Sequence, residues 1–458
     1  VKVGSSILSH VENGVPIKTL CVRPTGGGKT LLFTTTAAAL KGITLCIVPL
    51  LSLGADQAKK LIDSTQNAAR FITGFHLDEL PISEHANLIN QVKDYATRNK
   101  TVILFTSPQA LLRTNSPILP YLLSDEAPLS MIVMDEIHLA CHFGKSFRKE
   151  FSELKSHLFQ KIHTSIPLLF LTATCTDRIK SSFESLIGVE INSVHWPSSS
   201  KMQNRTVKLN VKYTTLPISS ILKTLKSHVS SHPPFPNKVI VYSNQRTKIT
   251  TCAEKIESFF DRDDDLWEHD VLTLVGTLTK DEKGFLVNTF LDDNSTKASV
   301  LCATSGVGNA GLDSQNIKAV YRIDFPPSIL DIAQERGRAG RRHNASPDVY
   351  SYNVCFSLES FLYVFKRIND PDSDVIDDEY RKEQESDLFE VAKLLASQSK
   401  CYYICFEEFL GNPKTCNSMT SPCRECRICE PNDTPCGYCP TCTGTEIFPI
   451  LNKEGVKL

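Results

Sequence analysis

The chain has 458 residues, with 50 Lys and Arg against 51 Asp and Glu, a formal net charge of -1 and 41% hydrophobic residues. That length accommodates two or three domains with substantial cores. The balance excludes a disordered, low-complexity chain and any global attraction to polyanions, although a local basic cleft on a neutral protein remains compatible with it. No apolar run approaches the length of a membrane span, and no secretory pattern opens the sequence, so an intracellular protein without a membrane partner is expected, nuclear if eukaryotic. The first residue is Val1 and Lys18 already lies near the first functional motif, which reads as a fragment lacking an upstream segment.

In chain order, the first informative stretch is Pro24-Thr25-Gly26-Gly27-Gly28-Lys29-Thr30. It follows the strand-like Thr19–Val22 and precedes Leu31-Leu32-Phe33 and an Ala-rich helical run. Strand, glycine loop and helix make a phosphate cradle: the glycines let backbone N–H groups turn inward, and the helix N-terminus adds partial positive charge. Thr25, Gly26, Gly27 and Gly28 would line it. Lys29 would reach the β- and γ-phosphates of a nucleotide, and the Thr30 hydroxyl would hold Mg²⁺. The first glycine of the usual spacing is replaced by Arg23. An ordinary glycine turn shares some of these residues but does not require Gly-Lys-Thr between a strand and a helix.

Up to about residue 200, short apolar runs alternate with amphipathic ones. Strands are predicted at Leu20–Val22, Thr44–Val48, Val102–Thr106, Met131–Met134 and Leu168–Leu171. Such alternation implies a parallel sheet covered by helices, with ligands at the carboxyl ends of its strands. The fourth strand runs directly into Asp135-Glu136-Ile137-His138. Asp135 would bind Mg²⁺, Glu136 would orient and deprotonate a water, and His138 would relay the state of the γ-phosphate. By itself Asp-Glu after a strand is often a solvated turn; beside a phosphate loop it reads as hydrolytic. Thr172-Ala173-Thr174 supplies small hydroxyl groups at the end of the next strand.

The polar text between about Trp196 and Lys212 reads as a linker. A second alternating unit follows, with strands predicted at Lys238–Tyr242, Val271–Val275, Ser299–Cys302, Ala319–Ile323 and Val349–Val354. Asp261 to Asp265 reads as a solvated loop and Pro233-Pro234-Phe235-Pro236 as a turn. In Gln334-Glu335-Arg336-Gly337-Arg338-Ala339-Gly340-Arg341-Arg342, arginines are spaced by glycines. Guanidinium forks match phosphate oxygens and the glycines permit close approach, so Arg338 and Arg341 read as arginine fingers. A basic loop facing solvent or nucleic-acid phosphate is the blander alternative.

Seven of the 16 cysteines are scattered from Cys21 to Cys355, as buried small hydrophobes usually are; nine crowd between Cys401 and Cys442. Two-residue gaps in Cys423, Cys426, Cys429 and again in Cys436, Cys439, Cys442 point to structural zinc rather than disulfides. One or two ions fit, and Cys405 and Cys416 are either further ligands or buried thiols. An acidic linker is expected from Asp370 to Glu385, then a helix through Cys401.

Taken together these motifs resemble the superfamily 2 helicases, and within them the RecQ family of DNA helicases. The resemblance rests on the Pro-Thr-Gly-Gly-Gly-Lys-Thr loop, on Val48-Pro49-Leu50-Leu51-Ser52-Leu53 with Asp56-Gln57, on Asp135-Glu136-Ile137-His138, on the aromatic stretch containing Phe143-Gly144, Phe147-Arg148 and Glu150-Phe151, and on Gln334 to Arg341. Phe143 stands where the family usually has Trp, and Lys145-Ser146 replaces a His-Asp pair. The resemblance implies two tandem RecA-like α/β domains with parallel sheets (residues 1–200 and 201–368), then a small Cys-rich zinc-binding domain (residues 384–450) in which Cys401 joins the two cysteine triplets. It further implies ATP, Mg²⁺ and Zn²⁺ as cofactors, ATP hydrolysis between the two domains, sensing of the γ-phosphate by Gln334, Arg338 and Arg341, and 3′-to-5′ movement on single-stranded and forked DNA. The alternatives are a superfamily 2 RNA helicase and a catalytically weak nucleic-acid-binding fragment.

Overall fold

The β-branched and aliphatic runs of the first half form strands because both faces of each are buried, so nearly every side chain is apolar. β1 (Lys18–Val22), β2 (Gly42–Ile47), β3 (Ile72–His76), β4 (Thr101–Thr106), β5 (Leu129–Met134), β6 (Leu168–Thr172) and β7 (Ser193–His195) make one sheet in the order β3-β4-β2-β5-β6-β1-β7. Its pairings are parallel throughout. The computed structural model describes residues 2–23, 27–48, 71–142, 145–196, 207–229, 237–261, 269–292, 297–308, 312, 314, 316–340, 350–370, 378–396 and 406.

Helices cover the sheet: α1 (Lys2–Glu12), α2 (Lys29–Leu40), α3 (His85–Thr97), the short α4 (Pro108–Leu111) and α5 (Ile118–Leu122), then α6 (Ile137–His142), α7 (Lys145–Leu154) and α8 (Asp177–Ile187). Ile7 of α1 and Phe33 of α2 pack with Cys46, Phe105, Val133 and Leu169 in one core, all fully buried. Each such side chain withdraws about 1.5–3 kcal/mol of apolar surface from water. Local signals set the boundaries of α8: the Thr176 hydroxyl accepts from the Ile179 N–H, and Gly188 closes the helix with φ 67°.

The second unit repeats the principle. β8 (Val207–Tyr213), β9 (Lys238–Ser243), β10 (His269–Leu274), β11 (Ala298–Thr304), β12 (Ile317–Arg322) and β13 (Tyr350–Phe356) pair in parallel in the order β10-β11-β9-β12-β13-β8. Its helices are α9 (Pro217–Val229), α10 (Arg246–Phe260), α11 (Lys280–Leu291), the single turn α12 (Ser305–Gly308), α13 (Ile329–Arg336), α14 (Leu358–Ile368) and α15 (Asp378–Ala396). The chain divides into Val1–Ser198 and Ser199–Leu458. These are the two tandem parallel-sheet units expected from the sequence.

Three readings need correction. The polar stretch taken as a linker ends in β8, whose alternating Val207, Leu209 and Val211 are buried against the core while Lys208, Asn210 and Lys212 are not. The acidic stretch from Asp370 becomes α15 from Asp378, and Leu388, Val391, Leu394 and Leu395 join the core of the second unit. The first sheet also holds β3 and β7, which were not anticipated. By contrast Cys21, Cys46, Cys175, Cys252, Cys302 and Cys355 are buried free thiols, as their isolation suggested. Among the described residues no helix is long and apolar enough to cross a membrane.

Candidate active site

Gly28 has φ 77°, a left-handed conformation that glycine adopts without a Cβ penalty, and it turns the chain from the loop into α2. Lys29, the first residue of α2, is 9% exposed. Its Nζ lies 2.5 Å from Glu136 Oε1 and 3.8 Å from Asp135 Oδ1. The sheet makes this possible: β1 and β5 are separated only by β6, and all three are parallel, so the loop after β1 and the acids after β5 emerge at the same end. Arg23, in place of a glycine, straps the loop. Its guanidinium donates to the Gly27 carbonyl at 3.3 Å, and its backbone N–H donates to the Thr172 carbonyl at 2.9 Å.

Asp135 continues the ladder, its N–H donating to the Ile47 carbonyl at 3.0 Å, and its Oδ1 accepts from the Glu136 N–H at 2.9 Å. Glu136 then takes φ 50°, uncommon for a residue with a side chain. This backbone reversal is what directs its carboxylate toward Lys29 rather than onward along the strand. Strain of this kind concentrates at functional sites.

His138, 3% exposed, has Nδ1 2.9 Å from Thr172 Oγ1 and 3.4 Å from Glu136 Oε2. Thr172 gives its one hydroxyl hydrogen to the Thr174 carbonyl at 2.7 Å. It therefore accepts from His138, which assigns the proton to Nδ1. His138 and the Thr172-Ala173-Thr174 turn thus form one hydrogen-bonded chain, with the Glu136 carboxylate 3.4 Å from the imidazole. Farther along, Gln109 donates to Glu150 of α7, whose carboxyl is pushed up by partial burial and then by neighbouring Glu153. Phe151 beside it is 2% exposed.

In the second unit, α13 carries Gln334. The Ser328 hydroxyl caps it, accepting from the Asp331 N–H at 3.1 Å. The chain leaves α13 through Gly337 and passes Gly340, which has φ 67°. Arg338 is 8% exposed and donates to the Leu312 carbonyl at 3.1 Å, while Arg336 reaches the Val207 carbonyl at 3.4 Å.

Two family profiles match in tandem: that of the DEAD/DEAH box helicases over residues 5–182 and that of the helicase conserved C-terminal domain over residues 220–343. Among curated proteins, the ATP-dependent DNA helicase RecQ of Pasteurella multocida is 24% identical over 90% of this chain and 57% of its own length. The ATP-dependent DNA helicase Q-like 4B of Arabidopsis thaliana is 27% identical over 72% of this chain and 26% of its own. The chain carries the two helicase domains in tandem and is similar to the RecQ DNA helicases. It spans between about a quarter and three-fifths of these relatives. Solved structures agree on the fold. The DEAD-box helicase Mss116 bound to ssRNA and UDP-BeF gives a TM-score of 0.59 at 16% identity, covering 89% of this chain and 82% of that one. The Mycobacterium smegmatis helicase Lhr bound to ssDNA and AMP-PNP gives 0.53 at 17%, covering 89% and 53%.

In this helicase-like chain, the structure brings Gly27, Gly28, Lys29, Asp135, Glu136 and His138 together and puts Thr30 in the first turn of α2. Gln334 and Arg338 belong to the second unit. Thr25, Gly26, Arg341, the motif from Pro49 to Gln57, Phe143-Gly144, the side chains of Phe147 and Arg148, and all seven proposed zinc ligands (Cys401, Cys423, Cys426, Cys429, Cys436, Cys439 and Cys442) lie outside the described residues. Among the described residues no cluster of His, Cys, Asp and Glu has the makings of a metal site of three or more such ligands. Sequence reasoning missed the Arg23 strap, although the departure at Arg23 was its signal. It also missed the reversal at Glu136, for which the residue type gives no signal.

Proposed function

We propose that the chain is an ATP-dependent DNA helicase or translocase. The observation that carries this is the meeting of Lys29 with Asp135 and Glu136 at the carboxyl ends of β1 and β5. An ammonium at a left-handed glycine turn suits phosphate oxygens, and a hydroxyl with a carboxylate is the hard-oxygen donor set that Mg²⁺ prefers. These residues therefore fit Mg²⁺–ATP. Lys29 and the loop glycines bind the phosphates; Thr30 and Asp135 hold the metal. Mg²⁺, when bound, neutralises charge on the β- and γ-oxygens. Glu136 orients the attacking water and takes its proton. His138, bonded through Nδ1–H to Thr172 and 3.4 Å from the Glu136 carboxylate, passes the state of that carboxylate to the Thr172–Thr174 turn. Gln334, Arg338 and Arg341 would sense the γ-phosphate, as the family resemblance implies.

DNA as the track is supported by the relatives named DNA helicases. Contacts to phosphate and sugar would make sequence specificity low. The cysteine triplets with Cys401 supply soft thiolates at zinc spacing, and we assign them a structural Zn²⁺ role. Directionality is 3′-to-5′ by family resemblance. Strand displacement on duplexes with a 3′ or a 5′ single-stranded tail, made of DNA or RNA, tests the reading. ATP-dependent separation of the 3′-tailed DNA is expected. Preference for the 5′ tail contradicts the polarity, and displacement confined to RNA favours the RNA helicase alternative.

A further inference from the structure

The second unit has a fully buried ion cluster outside the roles assigned above. Arg322, the last residue of β12, and Glu335, in the last turn of α13, are both 0% exposed. Arg322 Nε donates to Asp324 Oδ1 at 2.6 Å. One terminal nitrogen donates to Ser305 Oγ at 2.8 Å and also to Glu335 Oε1, and the other donates to Asn244 Oδ1. Glu335 Oε2 accepts from the Tyr352 hydroxyl at 2.8 Å. Asp324 Oδ2 accepts from Ser243 Oγ at 2.7 Å and from the Asn244 N–H at 2.5 Å. One planar guanidinium thus joins the ends of β9 and β11, the turn after β12, and α13, with β13 attached through Tyr352.

Burying such a group is costly unless every donor is met, and here its geometry selects one arrangement. Glu335 lies between Gln334 and Arg336 and three residues before Arg338. Its side chain anchors the last turn of α13, whose Ile329 and Ile332 are seated in the core. Burial pushes its carboxyl up to about 7 in spite of the opposing pull of Arg322. Removing Arg322 would leave two buried carboxyls without their counter-charge.

We propose that Arg322 and Glu335 are positioning residues for ATP hydrolysis: their buried ion pair locks α13 to the strand ends of the second unit, so that Gln334 and Arg338 are presented in one orientation. The proposal rests on the ATPase reading above. An ammonium cannot replace the fork, since Lys presents a compact charge where Arg322 spans four acceptor side chains on separate segments.

The test uses the full chain with Glu335→Gln and Arg322→Lys, both of which avoid stranding two carboxyls. Steady-state ATP hydrolysis with single-stranded DNA, binding of a fluorescent ATP analogue, thermal melting and amide hydrogen exchange are compared with wild type. Both variants are expected to lose about tenfold or more in kcat, with nucleotide affinity within about threefold, because Lys29 and Thr30 are untouched. Exchange should quicken selectively across residues 329–340. A kcat within about twofold of wild type in either variant, or unchanged exchange across 329–340, overturns the proposal. So does a kcat loss that is restored on cooling in step with melting. If wild type itself hydrolyses no ATP, the ATPase reading fails, and the exchange data still decide whether the pair orients α13.

Discussion

On the proposed reading, the chemistry of the first unit turns on Glu136. Its φ of 50° and its contact with Lys29 are two aspects of one arrangement: the chain reverses after Asp135, and the carboxylate meets the ammonium. Glu136→Gln retains size and hydrogen bonding but cannot accept the proton of water. Its kcat for ATP should fall by about 10²–10⁴ while nucleotide still binds, the range usual for loss of a general base. Equilibrium binding beside single-turnover hydrolysis checks this, and hydrolysis at the wild-type rate would remove Glu136 from the role. Residue types were legible here because Asp-Glu and Gly-Lys-Thr are short motifs with defined chemistry. The backbone reversal and the His138 tautomer were not, because each depends on partners far along the chain: Lys29 at one end and Thr172 at the other.

Elements were legible where burial is two-sided. Met131–Met134 and Val239–Val241 are continuous apolar runs inside their sheets, and both became strands at the expected places. The strands that escaped notice lie at sheet edges: β3, β7 and β8 each have one neighbour, so polar residues are tolerated on their open side. Only the start of α15 was obscured: its acidic first turns read as linker, whereas the helix expected after Glu385 is its apolar half, seated in the core by Leu388, Val391, Leu394 and Leu395. The packing of α9 on β12 gives a prediction at this scale. His228 Nδ1 lies 2.7 Å from the Tyr321 hydroxyl, and burial, then the charge of Lys318, lowers the imidazole from 6.5 to about 4. A histidine that is harder to protonate when folded contributes stability that is complete above pH 6.5 and is lost as the pH falls toward about 4. The loss amounts to at most roughly 3 kcal/mol. Urea unfolding between pH 7.5 and 4.5 should show it, and His228→Gln should flatten that part of the profile. An unchanged slope in the variant would place the acid sensitivity elsewhere.

At the scale of the molecule, two parallel-sheet units carry complementary halves of a helicase inventory: phosphate loop and acids in the first, arginine-bearing helix and turn in the second. That division was visible in the sequence because each unit repeats the alternation of short apolar strands with longer amphipathic segments. The cysteine-rich tail adds a separable prediction. Metal analysis of purified chain should find one or two zinc ions per molecule, released by chelators with loss of stability. Zinc-free chain that melts like the original would dismiss a structural role.

The most direct test of the central claim is ATP hydrolysis by the purified chain alone, with single-stranded DNA and with RNA, beside Lys29→Ala. Turnover stimulated by DNA and abolished in the variant is the predicted result. Turnover no higher than that of Lys29→Ala under every condition would contradict the assignment of this chain as a motor.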